Sequence, residues 1–97
     1  MDYSEALRRI RAGGRVSRRS WIQPGKYVYW VQPSETTLPD GSPVELAGHA
    51  LFYRPAKGAR GIGQVEPYYA GPDAQGADDW YDVDAEAGRP AHPGGPA

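Results

Sequence analysis

The chain of 97 residues contains no cysteine. That excludes a disulfide framework and any thiolate-bound metal, and it fits a reducing compartment. Histidine is nearly absent too: His49 and His92 lie far apart in sequence, so no imidazole cluster with metal-ligand spacing exists. No apolar run approaches the roughly 20 residues that a membrane-crossing helix needs, and the start does not resemble a signal peptide, so a cytoplasmic protein without membrane contact is expected. A domain of this size buries only about 60% of the surface its unfolded chain exposes. Without disulfides or metals, self-association is the remaining route to stability, so a homo-oligomer is expected.

Net charge is −1, yet its distribution is uneven. Residues 1–60 carry ten Lys/Arg against five Asp/Glu, a balance of +5, whereas residues 61–97 carry one against seven, a balance of −6. Two halves of opposite sign attract each other within or between chains. With no overall basic excess, a nucleic-acid polymer is not the expected partner.

Catalytic patterns are also missing. There is no nucleophile elbow, no zinc-binding His-Glu-x-x-His and no Walker loop. Arg60-Gly61-Ile62-Gly63 is glycine-rich but does not open a helix, so it reads as a loop. Asp78-Asp79 is a poor acid–base pair, because neighbours on an extended chain point to opposite sides. One of the two is expected in solvent and the other on an amide, an arginine or a ligand. No enzyme is read here, and no cofactor is expected.

The residues that are present give an α+β outline, an N-terminal helix followed by a small antiparallel β-sheet. Asp2 caps a helix over residues 3–12, and Glu5 three positions on fits a capping box. Tyr3, Leu7 and Ile10 share one stripe, and Gly13-Gly14 ends the helix. A short strand is expected at Arg15–Arg18, then a turn at Gln23-Pro24-Gly25. Lys26–Gln32 is the clearest strand; Tyr27, Tyr29 and Val31 take one face, Val28 and Trp30 the other, so it is expected at the centre of the sheet. Residues 33–43 read as a polar loop turning at Pro39-Asp40-Gly41. Strands are expected again at Val44–Leu46, His49–Arg54, Gln64–Ala70 and Trp80–Val83, with a mobile loop over Pro55–Gly63. The boundary between domain and tail is placed at residue 84, and residues 85–97, rich in Pro, Gly and Ala, read as a disordered C-terminal tail.

Aromatic content is the conspicuous surplus: three Trp and seven Tyr beside one Phe. Two readings stand. These rings fill a small core and an oligomer interface, where Tyr and Trp are favoured. Alternatively, some stack on a planar ligand, with Arg18, Arg19 and Lys26 at its phosphates or simply solvated.

The segments Asp2-Tyr3-Ser4-Glu5-Ala6-Leu7, Gly13-Gly14-Arg15-Val16-Ser17-Arg18-Arg19-Ser20-Trp21 and Ala77-Asp78-Asp79-Trp80-Tyr81-Asp82-Val83, in this order and spacing, resemble the Thoeris anti-defense 2-like family over residues 1–84. The resemblance implies a phage protein that counters bacterial immunity in the host cytoplasm. Such a protein acts as a sponge, holding cyclic ADP-ribose isomers, and in some members cyclic dinucleotides, without cleaving them. It also implies a homotetramer with pockets formed between protomers. Trp21 and Trp80 match the family's two tryptophan positions, Asp79 the acid before the second, and Pro67-Tyr68 a Pro-Trp pair. Together with Arg18 and Lys26 these are the candidate ligand-binding residues: Trp21, Arg18, Lys26, Tyr68, Asp79 and Trp80. Two departures bear on specificity: Ile22-Gln23-Pro24-Gly25-Lys26 stands where many members have Asn-Gly-Lys, and Gly71-Pro72 where a Ser-Gln pair is common. The rival expectation is a protein–protein module of the same fold.

Overall fold

A computed structural model describes residues 1–56 and 61–88 of the chain. The helix α1 spans Tyr3–Arg11. The Asp2 carboxylate accepts the Glu5 amide at 2.8 Å, satisfying one of the unpaired N–H groups of the first turn. At the other end Gly13 sits at φ 100°, a conformation that a side chain would strain. The stripe that α1 buries is centred on Ala6 and Ile10, with Tyr3 and Leu7 at its margins.

Five strands form one antiparallel sheet: β1 (Val16–Arg18), β2 (Tyr27–Val31), β5 (His49–Arg54), β6 (Gln64–Pro67) and β7 (Trp80–Asp82). Their spatial order is β6-β5-β2-β1-β7, so the strand rich in Tyr, Val and Trp is central, as its two apolar faces imply. Val16 lies opposite Val28, and Val28 opposite Phe52, which aligns the apolar residues of three strands on one face. That face receives α1. The core is small: Ala6, Ile10, Val16, Val28, Ala74 and Trp80 are its buried apolar residues.

Three expectations need correction. Residues 33–43 are not all loop: Ser34–Thr37 (β3) pairs with Pro43–Leu46 (β4) as a separate hairpin. Strand β3 is polar and wholly exposed, so no hydrophobic alternation marks it. The turn within the hairpin is the expected one, with Gly41 at φ 89° and Asp40 Oδ1 accepting the Ser42 amide at 2.9 Å. The second correction concerns residues 68–79. Strand β6 ends at Pro67, and a short helix α2 (Pro72–Gly76) follows, opened by a proline in its first turn. Third, Val83–Gly88 is a helix, α3, so the first four residues assigned to the tail are helical. The remainder of the tail, residues 89–97, and residues 57–60 of the Pro55–Gly63 loop lie outside the described residues.

The opposed charges meet within the chain. Every ion pair among the described residues joins a base from the first 60 residues to an acid beyond them: Arg9–Asp82, Arg15–Asp84, Arg18–Asp73, Arg18–Asp79, Arg19–Glu86 and Arg54–Glu66. Most are exposed, so each adds little stability alone; the first five link α1, β1 and its flanks to residues 73–86, and the sixth joins β5 to β6.

Candidate functional site

Strand β1 delivers Arg18 and, one turn later, Trp21, whose amide donates to the Arg18 carbonyl at 3.1 Å. Strand β7 lies alongside, with Trp80 directly opposite Arg18 on the core-facing side. Just past β6, the Tyr68 amide donates to the Ala50 carbonyl at 3.0 Å, which holds the phenol beside β5. The three rings converge. Centroid separations are 5.5 Å for Trp21–Trp80, 6.3 Å for Trp21–Tyr68 and 6.3 Å for Tyr68–Trp80, all edge-on. Phe52 closes the group at 5.1 Å from Trp21, and Tyr3 of α1 lies 5.7 Å from Trp80. Edge-to-face packing at these distances is the favourable aromatic arrangement.

The rings differ in access. Trp80 is 2% exposed, and its Nε1 donates to the Ala74 carbonyl at 3.0 Å, tying α2 to the sheet. Its faces are spent on the core of the chain. Trp21 and Tyr68 are half-buried, and beside them in sequence Ile22 (96% exposed) and Tyr69 (87%) face solvent. Burial pushes the Tyr68 hydroxyl up to about 12, with Tyr3 adding to the shift and Arg18 opposing it.

Beside the rings lies the one near-buried guanidinium of the described ion pairs. The Arg18 side chain is 10% exposed; its Nε donates to Asp79 Oδ1 at 2.8 Å and its Nη1 to Asp73 Oδ2 at 3.2 Å. The other Asp79 oxygen accepts the Ser20 amide at 3.0 Å. Desolvation works against the charged Asp79 carboxylate, but the hydrogen bonds from Arg18 and Ser20 outweigh it and hold its pKa below the usual range. Asp79 thus serves as the turn's anchor and the guanidinium's aligner, while Asp78 is exposed. Asp73 is the looser partner at 94% exposure.

Five of the six candidates therefore come together: Arg18, Trp21, Tyr68, Asp79 and Trp80. Lys26 does not join them. Its carbonyl accepts the buried Ser17 hydroxyl at 2.7 Å, and no hydrogen bond or ion pair among the described residues links its side chain to the cluster. Sequence reasoning missed Phe52, Ser20 and Asp73. The proline-started turn Gly71-Pro72-Asp73 was the available signal for Asp73, but a five-residue helix is too short to show periodicity.

Residues 1–83 match the family model of the Thoeris anti-defense 2-like domain. The chain belongs to this family. It therefore takes part in countering Thoeris defense. No curated protein matches the chain. Within this Thoeris anti-defense 2-like domain, Gly71 and Pro72 occupy the N-cap and first position of α2, a helix start with no side-chain cap. The Ile22–Gly25 segment becomes an exposed turn, with Gly25 at φ 88° and tight against Pro55. His49 Nδ1 lies 2.9 Å from the Ala47 carbonyl. Among the described residues no group of three or more metal-binding side chains forms, and no helix is long and apolar enough to cross a membrane.

Proposed function

We propose that this Thoeris anti-defense 2-like protein sequesters a cyclic nucleotide immune signal, a cyclic ADP-ribose isomer or a cyclic dinucleotide, and releases it unchanged. The observation that carries this reading is the convergence of Trp21 and Tyr68, both half-buried, with the aligned guanidinium of Arg18. A planar base needs an aromatic face and a phosphate needs a charge-assisted donor. The exposed side of Trp21 and Tyr68 would supply the first. Arg18 would supply the second, with the loosely held Asp73 giving way to the phosphate while Asp79 keeps the guanidinium in place. Trp80 backs the site rather than stacking on ligand, by holding Trp21, Tyr68 and α2 in register. Sequestration needs no bond to break, only affinity, slow release and enough copies in the host cytoplasm. The working form would be a homotetramer, as the family resemblance implies, with each pocket completed by a neighbouring protomer.

Native mass spectrometry of protein purified from cells producing such a signal tests this. A phosphate-bearing adduct, present on the native protein and lost from Trp21→Ala, is the expected result. Clean, unliganded mass from signal-producing cells would turn the reading toward a protein–protein module of the same fold.

A further inference from the structure

The last helix has almost no apolar anchor. Of the side chains described in α3, Val83 and Glu86 are half-buried, while Asp84 and Ala85 face solvent. Its six residues hold less than two turns, and a helix that short does not persist in water alone. Polar bonds dock it on β1 and β7 instead. The Val83 amide donates to the Arg15 carbonyl at 2.9 Å, and the Ala85 amide to Asp82 Oδ1 at 2.9 Å. The other Asp82 oxygen meets Arg9 Nε of α1 at 3.2 Å. Arg15 Nε donates to Asp84 Oδ1 at 3.0 Å, and Arg19 Nη2 donates to Glu86. The Arg19 guanidinium also stacks on Tyr81 of β7, 4.0 Å from the ring centroid. The family match ends at residue 83, where α3 begins.

Arg19 is thus held from two directions. It belongs to the run Arg18-Arg19-Ser20-Trp21 that carries the candidate site. Its amide donates to the Asp79 carbonyl at 3.1 Å, beside the Ser20 amide and the Arg18 Nε on the Asp79 carboxylate. Asp79 therefore fastens the backbone of the run, while α3 and Tyr81 fasten the Arg19 side chain. We infer that Arg19 is a positioning residue for the Trp21–Tyr68–Arg18 site, with Glu86 of α3 and Tyr81 as its clasp. The inference rests on the ligand-binding reading of that site and adds how its geometry is kept. Arg19 does not itself meet the phosphate. Its charge is matched by Glu86 and its face is covered by Tyr81, whereas Arg18 has in Asp73 a partner that is 94% exposed and able to leave. What Arg19 contributes is order. A short run leading to a half-buried ring keeps some freedom when only its amides are held, and pinning the Arg19 side chain removes that freedom before ligand arrives.

Two variants of the full chain, Arg19→Gln and Glu86→Gln, test this by two readouts. One is hydrogen exchange by mass spectrometry over residues 16–22, which needs no ligand. The other is calorimetric titration with a panel of cyclic ADP-ribose isomers and cyclic dinucleotides. Loss of the exposed ion pair in Glu86→Gln should raise exchange over residues 16–22 by about two- to fivefold. Loss of the pair and the cation–π contact in Arg19→Gln should raise it by about three- to tenfold. The dissociation constant should rise in step, with exchange over α1 unchanged. The exchanged pair, Arg19→Glu with Glu86→Arg, should bring both readouts back to within about twofold of native. Glu45→Gln, on the exposed hairpin, should move neither. If Arg19→Gln does not fold, Glu86→Gln and the exchanged pair decide. Weakened binding in Arg19→Gln alone, with Glu86→Gln binding like the native chain, would make Arg19 a direct contact and overturn the positioning role. Native exchange over residues 16–22 in both variants would overturn it as well. A native chain that takes up no member of the panel while exchange rises as expected would overturn the ligand reading instead, leaving the clasp as a brace of the fold.

Discussion

Trp80 and Trp21, the two tryptophans in the segments that carry the family resemblance, are expected to respond oppositely to substitution. Trp80 is fully enclosed by Tyr3, Trp21 and Tyr68, and its indole N–H is the partner of the Ala74 carbonyl. Trp80→Phe removes that donor, at about 1–3 kcal/mol for a buried carbonyl left unpaired, and opens a small void on top. The sum is roughly 2–4 kcal/mol. A domain of this size has only about 5–10 kcal/mol to lose and shifts its melting temperature by about 4–8 °C per kcal/mol, so Tm should fall by roughly 8–32 °C. Trp80→Ala, at about 3–5 kcal/mol, should leave the chain barely folded. The assay is thermal unfolding by circular dichroism at one fixed protein concentration, since association contributes to Tm. Where Trp80→Phe remains folded it should still bind ligand, because in the proposed site Trp80 only backs Trp21 and Tyr68. Trp21→Ala should show the reverse, with a modest loss of Tm and a loss of binding. A Trp80→Phe protein that melts within about 2 °C of the native one and no longer binds would refute this division of labour.

Other residues give independent checks. Asp79 has a folded-state pKa below its ordinary value, so its stabilising contribution is complete at neutral pH and disappears as pH falls through the folded value, below about pH 4. In acid titrations followed by circular dichroism, Asp79→Asn should already be weaker at pH 7 and lose less than the native chain below pH 4. For Tyr68, raised to about 12, the sign is opposite: stability is whole below about pH 10 and declines as pH rises toward 12. Phenolate absorbance should show an ionisation near pH 12 that is missing in Tyr68→Phe. Gly48→Ala would bring a methyl to 2.7 Å from the Trp30 ring, and unfolding should register a loss of about 1–3 kcal/mol.

Much of the architecture was legible because local rules and the fold agree. Asp2, the Tyr3/Leu7/Ile10 spacing and Gly13-Gly14 each mark α1, and the unbroken run from Tyr27 to Val31 marks a strand flanked on both sides. Of the hairpin Ser34–Leu46, the turn at Pro39-Asp40-Gly41 and the strand at Val44–Leu46 were legible, whereas Ser34–Thr37 was not, since its pairing rests on backbone hydrogen bonds while its side chains stay in water. Helices α2 and α3 were missed for want of length: five and six residues hold less than two turns, and their positions depend on Ala74 under Trp80 and on ion pairs to Arg15 and Arg19. In the site, sequence order could pair Asp79 with an arginine or an amide but not say which; folding supplies Arg18 and Ser20 from 61 and 59 residues away. Lys26 was nominated by nearness in sequence to Trp21, yet the turn through Gly25 carries it to the start of β2. Of the two tryptophans, Trp80 is a core residue, whereas stacking on a ligand is a proposal that half-buried Trp21 leaves open.

The most direct measurement is calorimetric titration of the purified protein with cyclic ADP-ribose isomers and cyclic dinucleotides, followed by chromatography of the ligand released on heating. Saturable binding of at least one of them, with the ligand recovered intact and the heat abolished by Trp21→Ala, is the expected result. No heat from any of them at tens of micromolar, or recovery of a cleaved product, would contradict sequestration at the Trp21–Tyr68–Arg18 site.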